Sequence, residues 1–191
     1  MRVLWGCTGS VATVKVPEAV IRLRYAGHEV QVVCTDRARF MLLGGPASRY
    51  NAASFRALLD GGTRVWSDQD EWPADYTVGE SDVLHIELRK WADVLVIAPL
   101  SANTLAKLAH GLCDDLLTCI VRAWDASKPV YVAPAMNTLM WTNPLTAKHL
   151  AMLPSNYIII PPVDKTLACK DTGVGAMASV DEVCPKVLSK L

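Results

Sequence analysis

The chain has 191 residues, 51% of them hydrophobic, and its 19 basic side chains balance 19 acidic ones. The balanced charge and the lack of a long basic stretch argue against a nucleic-acid partner. No apolar run approaches the ~20 residues of a membrane span, and the N-terminal residues fit a strand better than a signal peptide. We therefore expect a cytoplasmic protein without a membrane partner, folded as a single domain over residues 1–191.

The chain alternates between apolar runs and helical patterns. Strands are predicted at 2–7, 28–35, 63–67, 92–101, 128–135 and 156–163. Helices are predicted at 10–27, 103–124, 143–153 and 180–191, and residues 36–62 are interpreted as a helix followed by a loop. Apolar strands separated by helices are typical of a parallel sheet covered on both faces. The predicted fold is α/β, a three-layer, doubly wound parallel sheet of the Rossmann-like or flavodoxin-like kind.

Single residues mark the ends of the predicted helices. Ser10 is a suitable N-cap for the first helix, and Gly27 closes it. Pro17 should either kink this helix or mark its true start, since proline cannot donate within a helix. Gly111 interrupts the long helical pattern at 103–124.

The six cysteines contain no CxxC pair, and no metal site is predicted. Most are expected to be small buried apolar side chains in a reducing compartment. Cys169 is the exception, because it lies in LACKDTGVGAMA (167–178), a polar segment with small residues that is interpreted as a mobile loop. An exposed cysteine beside Lys170 is a candidate reactive thiol, and an inert surface cysteine is the alternative.

Small and hydroxyl-bearing residues follow two predicted strands. CTGS (7–10) and SANT (101–104) each stand directly before a helix. Because such sheets bind ligands at the carboxyl ends of strands and a helix start presents N–H donors, both loops suit an anion. Each could also be an ordinary turn or cap, but together they favour a mononucleotide phosphate, typically FMN. Without GxGxxG, and with only Asp36 after the second strand, a nicotinamide cofactor is disfavoured.

Two further polar residues stand out. His85 precedes the fourth predicted strand and is expected at the edge that faces the ligand crevice, where an imidazole can act as a base or an acid. A structural histidine is the alternative. Asn137 lies in PAMNTLMW (134–141), where one amide stands among methionines and a tryptophan. It is expected to hold a ligand group, and a helix cap is the alternative.

Three segments together resemble one family. They are HIELRKWADVLVIAPLSANTLAKLAHGLCDDLLTCIVRAWD (85–125), PAMNTLMW and LACKDTGVGAMA, and the resemblance extends from GCTGSVA (6–12) to residue 178. The family is that of the homo-oligomeric flavin-containing cysteine decarboxylases. The similarity is strongest to members that convert 4′-phosphopantothenoylcysteine to 4′-phosphopantetheine in coenzyme A biosynthesis.

The resemblance implies a carboxy-lyase that uses FMN. In such enzymes the cysteine-derived substrate is oxidised, loses CO₂ and is reduced again. His85 is implied as the active-site base and Cys169 as the proton donor of the reduction. The implied FMN contacts are Gly9, Ser10, Val11, Asp36, Arg37, Ala38, Ser101, Ala102, Asn103, Thr104 and Ala135.

The resemblance also implies how the substrate is held. Asn137 would donate to the substrate carboxylate beside an apolar wall of Met136, Met140 and Trp141. The implied substrate contacts are Asn137, Met140, Ala168 and Lys170. A homotrimer with flavin and substrate at the subunit contacts is implied as well.

Two residues depart from the family's pattern. Lys170 stands where the usual ACGD has glycine, and Asp115 stands where the usual CDN has asparagine. Neither change removes an implied catalytic group. A glycine lost at position 170 could stiffen the loop or add a cation near the substrate phosphate.

Other functions fit the residues less well. Relatives that decarboxylate peptidyl cysteine lack the reducing cysteine, so Cys169 argues against that activity. A flavin prenyltransferase would lack the context of PAMNTLMW. A regulatory module that inhibits a protein phosphatase is the alternative from another class, but the C-terminal residues SVDEVCPKVLSKL (179–191) contain no acidic run of the kind such relatives carry.

Overall fold

The structure is a computed structural model that describes residues 1–43, 52–167 and 172–189. Parallel strands form its central sheet, and their bounds are β1 (Arg2–Cys7), β2 (Glu29–Cys34), β3 (Val65–Trp66), β4 (Val94–Leu100), β5 (Val130–Pro134) and β6 (Tyr157–Ile159). Across the sheet they run β3-β2-β1-β4-β5-β6. This is the Rossmann order, which reverses between β1 and β4 and places the ligand crevice at their carboxyl ends. The predicted doubly wound parallel sheet is confirmed.

Helices cover both faces of this sheet. Their bounds are α1 (Val16–Tyr25), α2 (Asp36–Leu43), α3 (Ala52–Asp60), α4 (Asp68–Glu71), α5 (Leu84–Trp91), α6 (Ala102–His110), α7 (Leu116–Arg122), α8 (Thr138–Trp141), α9 (Pro144–Met152) and α10 (Val180–Leu188). Two further strands, β7 (Val163–Thr166) and β8 (Thr172–Ala176), pair as an antiparallel hairpin. None of the helices in the described part of the chain is long and apolar enough to cross a bilayer.

The core consists of two apolar clusters, one on each face of the sheet. Successive side chains of a strand point to opposite faces, so Val3 and Trp5 pack with α1 and α10, whereas Leu4 packs with α7. The Trp5 indole N–H donates to the Ala98 carbonyl over 2.7 Å, which satisfies its polar atom inside the core. Burial on both sides explains why the strand sequences are apolar throughout.

The first helix begins later than its sequence pattern indicates. Ser10 caps a short 3₁₀ helix, Val11–Lys15, by accepting from Ala12 N over 3.3 Å. The α-helix proper starts at Val16 with Pro17 in its first turn, where a missing N–H costs nothing. Of the two predictions for Pro17, the true start of the helix is therefore the correct one.

The long helical pattern at 103–124 is two helices. Gly111 adopts φ 70° and ends α6, a left-handed conformation that glycine reaches without strain. Asp115 then caps α7, and its Oδ1 accepts from Thr118 N over 2.8 Å. The predicted interruption at Gly111 is confirmed.

Two stretches predicted as loops have regular structure. Residues 52–60 form α3, which buries Phe55 and Leu58 at helical spacing. Within 167–178, residues 172–176 form β8, so the prediction of a mobile loop is wrong for this part. Because the hairpin strands VDKT and TGVGA lack apolar alternation, the sequence pattern does not reveal them.

Candidate active site

A cavity of about 1250 Å³ opens at the carboxyl ends of β1, β2, β4 and β5. It exceeds the ~300–1,000 Å³ of most ligand pockets, so it has room for a cofactor and a substrate together. The predicted FMN contacts that line it are Gly9, Ser10, Val11, Asp36, Arg37, Ser101, Ala102, Asn103, Thr104 and Ala135. Asn137 and Met140, two of the predicted substrate contacts, line it as well.

Ala38 is the predicted FMN contact that does not line the cavity. Its side chain is fully buried in the apolar core, and its N–H donates to Thr35 Oγ1 over 3.3 Å. The first turn of α2 directs this side chain toward the sheet, whereas Asp36 and Arg37 face the cavity.

Thr8 joins the two loops that were predicted to hold the phosphate. Its Oγ1 donates to the Pro99 carbonyl over 2.8 Å and accepts from Ser101 N over 2.7 Å. The side chain is fully buried. This one hydroxyl therefore fixes the end of β1 against the end of β4 at the point where the strand order reverses. The sequence singled out the loop that contains Thr8 but not the role of its side chain.

The loops present donors that suit an anion. Ser101 Oγ accepts from Thr104 N over 3.3 Å and caps α6, while the earlier N–H groups of such a helix have no partner within it. A Cβ placed on Gly9 would lie 2.8 Å from Arg37 Cβ, so glycine allows the β1 loop to touch the start of α2. Helix-start N–H groups and a nearby guanidinium are the donor set that phosphates prefer.

Asn137 serves as a helix cap at the edge of the cavity. Its Oδ1 accepts from Leu139 N over 2.9 Å and starts α8. The cap orients the side chain, and the residue also lines the cavity, so the two interpretations of Asn137 are compatible. Met136 and Met140 line the cavity beside it, whereas Trp141, expected in the same apolar wall, does not.

The β7–β8 hairpin packs directly on the Asn137 loop. Met136 N donates to the Gly175 carbonyl over 3.0 Å. A Cβ on Gly175 would come within 2.3 Å of the Met136 carbonyl oxygen, so only glycine permits this approach of the two backbones. Lys165, Thr166 and Leu167 at the end of β7 line the cavity. The predicted Ala168, Cys169 and Lys170 follow Leu167 directly and lie outside the described residues.

His85 lies away from this cavity. It occupies the first turn of α5, and its Nδ1 is 2.6 Å from Oε1 of the buried Glu71. It is not among the residues that line the cavity of its own chain. The expectation that His85 faces this crevice is not met within one chain, because residues 84–91 form a helix that turns the ring toward α4.

A group of charged residues that sequence reasoning missed lies at the cavity wall. Lys107 Nζ is 2.7 Å from Asp114 Oδ1 and 2.9 Å from Asp115 Oδ2. Burial lowers the pKa of Lys107, but the hydrogen bonds to these two carboxylates outweigh it and raise the pKa overall. Aspartate at position 115 therefore keeps the helix cap that the family's usual asparagine would supply, and it adds an ion pair. Burial raises the pKa of the neighbouring Asp68.

The cavity fits FMN by its own features. Gly9 allows the loop after β1 to approach Arg37 at the start of α2, and Thr8 fixes the two phosphate-type loops (7–10 and 101–104) to each other. The first turn of α6 and Arg37 supply donors for a phosphate. Met136 and Met140 add apolar surface of the kind that accommodates a flat ring system. Within the described residues, no cluster of three or more side chains suits a metal ion.

Comparisons with known proteins agree with this site. The family model described as Flavoprotein matches residues 1–191. Phosphopantothenoylcysteine decarboxylase of Mus musculus is 46% identical over 192 residues, which cover 100% of this chain and 87% of that protein. A solved structure of a PPC decarboxylase mutant complexed with pantothenoylaminoethenethiol is 45% identical, with a TM-score of 0.84, and the match covers 99% of this chain and 97% of the other.

A second solved structure, that of the FMN binding protein AtHal3, is 46% identical with a TM-score of 0.82, and the match covers 99% of this chain and 95% of the other. The matches therefore extend over the sheet, the phosphate-type loops and the Asn137 loop together. Because the family model spans the chain from its first residue to its last, the chain belongs to the Flavoprotein family.

Proposed function

We propose that this protein is an FMN-dependent carboxy-lyase that converts 4′-phosphopantothenoylcysteine to 4′-phosphopantetheine. The observation that carries the proposal is that the phosphate-type loops and the Asn137 loop line one cavity. The mouse relative is named for this activity, and one related structure is complexed with an enethiol, the kind of compound that a cysteine unit becomes after oxidation and loss of CO₂.

FMN would be held by its phosphate at the loops after β1 and β4. Ser10, Ser101 and the N–H groups behind them would donate to the phosphate, and Arg37 would balance its charge. When bound, FMN supplies an acceptor and later a donor of two electrons, so that oxidation can precede the loss of CO₂ and reduction can follow it.

Asn137 would hold the substrate carboxylate. Its side chain is oriented by the cap on α8, and a neutral amide binds a carboxylate without the strong stabilisation of an ion pair. Met136 and Met140 would exclude water from the same place. A desolvated carboxylate is destabilised relative to neutral CO₂, so this arrangement favours decarboxylation.

Cys169 and its neighbours would complete the substrate side of the cavity. The end of β7 lines the cavity up to Leu167, and residues 168–170 follow it in the chain. We assign Ala168 and Lys170 to substrate contact and Cys169 to proton donation during reduction. Support for this assignment is the position of β7 together with the sequence motif.

The proposed assembly is a homotrimer in which His85 of one subunit completes the cavity of its neighbour. Two observations support this arrangement: His85 does not line the cavity of its own chain, and its side chain is 23% exposed. Large apolar side chains also lie exposed beside the Asn137 loop, namely Leu139 at 79% and Leu145 at 56%. Exposed apolar surface of this kind is typical of a subunit contact.

A cytoplasmic location and a single domain belong to the same proposal. The five cysteines in the described part of the chain are free thiols, as expected in a reducing compartment. The family model that matches residues 1–191 supports one domain.

The mass of the product tests the reaction. Purified protein loaded with FMN is incubated with 4′-phosphopantothenoylcysteine, and the product is identified by mass spectrometry. Loss of CO₂ with formation of saturated 4′-phosphopantetheine is expected. A product lighter by two hydrogens would remove the reducing role from Cys169, and unchanged substrate with flavin-loaded protein would contradict the proposed activity.

Mixing inactive variants tests the shared site. His85→Asn and Asn137→Asp are each expected to be inactive alone. Co-expression of the two should restore part of the activity, since some cavities in mixed trimers combine an intact Asn137 with an intact His85 from a neighbour. No recovery in isolated mixed trimers would place both residues in sites built from a single chain.

A further inference from the structure

Glu71 is a buried carboxylate at the end of α4. Glutamate is rarely buried unless it is paired, yet Glu71 is only 5% exposed while the preceding Gln69 and Asp70 are exposed. Its Oε1 lies 2.6 Å from His85 Nδ1. Its Oε2 has no hydrogen-bond partner among the described residues. The imidazole of His85 is therefore the group that stabilises this buried charge.

The elements around Glu71 hold it in place. Ser67 N donates to Asp70 Oδ2 over 2.7 Å at the start of α4, and Leu116 N donates to Asp68 Oδ1 over 2.8 Å. The first bond caps the start of α4, and the second joins α4 to the start of α7. Burial raises the pKa of Cys119 on α7 to about 11, with smaller contributions from Cys113 and from the charge of Glu71. Glu71 therefore lies against α5, at the end of a helix that is joined to the start of α7.

The contact decides which nitrogen of His85 carries the proton. An ionised carboxylate only accepts hydrogen bonds, so Nδ1 must donate to Glu71. In the neutral ring, Nε2 then holds the lone pair, and it lies on the edge away from Glu71. Since the His85 side chain is 23% exposed, a substrate can approach the ring from outside the chain.

The other histidines lack such a partner. His110 Nδ1 contacts the Ala106 carbonyl over 2.8 Å, and His110 and His149 contact each other edge to face. Among the described residues, His85 is the histidine that pairs with a carboxylate. The histidine in this pair is therefore the one that the proposed function uses as a base.

We propose that Glu71 is the positioning residue of His85, which holds the ring as the Nδ1–H tautomer and directs Nε2 toward the substrate of the neighbouring subunit. The proposal rests on the proposed function for the substrate, for the role of His85 as a base and for the neighbouring subunit; the effect of Glu71 on the tautomer does not depend on it. Glu71 itself does not line the cavity. Its effect is on the fraction of His85 that can accept a proton at Nε2, and so on kcat more than on KM.

The tautomer is measured directly in the FMN-loaded protein. Long-range ¹H–¹⁵N correlation spectra of histidine-labelled protein distinguish the two ring nitrogens, and His85→Asn assigns the His85 signals. The neutral form of His85 should be Nδ1–H in wild type and should shift toward Nε2–H in Glu71→Ala. Retention of the Nδ1–H form in Glu71→Ala would overturn the proposal, whether or not the protein is a decarboxylase.

Kinetics provides the second measurement. Glu71→Ala should lower kcat about 10²-fold or more, the contribution typical of a positioned acid or base, with KM within about threefold of wild type. Glu71→Leu keeps a side chain of similar size but offers no acceptor to Nδ1, so it tests the role even if Glu71→Ala does not fold, and it should also lower kcat. Glu87→Leu is the matched control, because Glu87 is exposed on the same α5 as His85 and forms its ion pair with Lys90.

The outcomes separate the two proposals. Wild-type kcat in Glu71→Leu, with His85→Asn inactive, would refute the role of Glu71 and leave the base in place. Full activity of His85→Asn would refute the role of His85 in the reaction, while the spectra would still report whether Glu71 sets its tautomer.

Discussion

Thr8 and Ser101 are 93 residues apart in the chain and joined by one hydrogen bond, from Ser101 N to Thr8 Oγ1 over 2.7 Å. The same hydroxyl donates to the Pro99 carbonyl. It follows that the two loops proposed to hold the FMN phosphate are fixed to each other before any ligand arrives. A preformed donor set binds an anion without first paying the entropy of ordering itself.

Thr8→Val tests this fixation. Valine has nearly the shape of threonine but leaves the buried Ser101 N–H without an acceptor, which should lower the free energy of unfolding by about 1–3 kcal/mol. FMN affinity should fall about tenfold. Urea denaturation of the apoprotein and flavin fluorescence titration measure the two effects. Thr8→Ser keeps the hydroxyl and is the control; equal losses in both variants would assign the effect to packing.

Gly175→Ala tests the contact between the hairpin and the Asn137 loop. A Cβ at Gly175 meets the Met136 carbonyl oxygen at 2.3 Å, so a backbone must move, and we expect a loss of about 1–3 kcal/mol in stability and a raised substrate KM. Gly173→Ala should be milder, because the nearest atoms to its Cβ belong to the Thr138 side chain, at 2.8 Å, and a side chain moves more easily than a backbone. Thermal unfolding and steady-state kinetics of both variants decide; an equal or larger effect at Gly173 would contradict the argument.

Asn137→Asp separates the cap from the proposed carboxylate contact. Aspartate caps a helix as well as asparagine does, so α8 should persist. The new charge would repel the substrate carboxylate and the amide donor would be lost, so kcat/KM should fall about 10²-fold or more. Asn143→Asp is the matched control, since Asn143 caps α9 with the same bond to Leu145 N, 2.9 Å, and does not line the cavity. Comparable losses in both variants would contradict the proposed carboxylate contact of Asn137.

The cysteines should differ sharply in reactivity. The Sγ atoms of Cys7 and Cys34 lie 3.1 Å apart in neighbouring strands, and the hydrogen bond with Cys34, together with burial, raises the pKa of Cys7. Burial raises the pKa of Cys184 to about 11. A raised pKa means less thiolate at a given pH, so at about pH 8 iodoacetamide should label exposed Cys113 long before Cys7 and Cys184. Peptide mass spectrometry, with unfolded protein as the control, measures the order, and rapid native labelling of Cys7 would contradict it.

The sheet could be predicted because its strands are apolar on both faces. Single residues also predicted the helix boundaries well, as Pro17 and Gly111 show. The β7–β8 hairpin could not be predicted in the same way, because its strands are short and its glycines are explained only by contacts with the Asn137 loop. A partner distant in sequence leaves no periodic signal.

The candidate site, too, could be predicted only in part. Loop composition identified Ser10, Ser101 and Asn137, which line the cavity. Thr8 and Glu71 were missed, because nothing in the sequence distinguishes a buried hydroxyl or carboxylate from an exposed one. Ala38 and Trp141 were placed at the cavity although their side chains point elsewhere, since the direction of a side chain in a first helical turn depends on the exact start of the helix.

The position of His85, away from the cavity of its own chain, has a consequence for mixed populations of subunits. Under the proposed assembly each site draws on two polypeptides. A subunit defective in His85 alone spoils only the neighbour's site, so activity falls in proportion to the fraction of intact chains. A subunit defective in both His85 and Asn137 spoils two sites, so activity falls as the square of that fraction. A population that mixes wild-type chains with doubly substituted chains would therefore lose more activity than one that mixes wild-type chains with chains that carry only the His85 substitution.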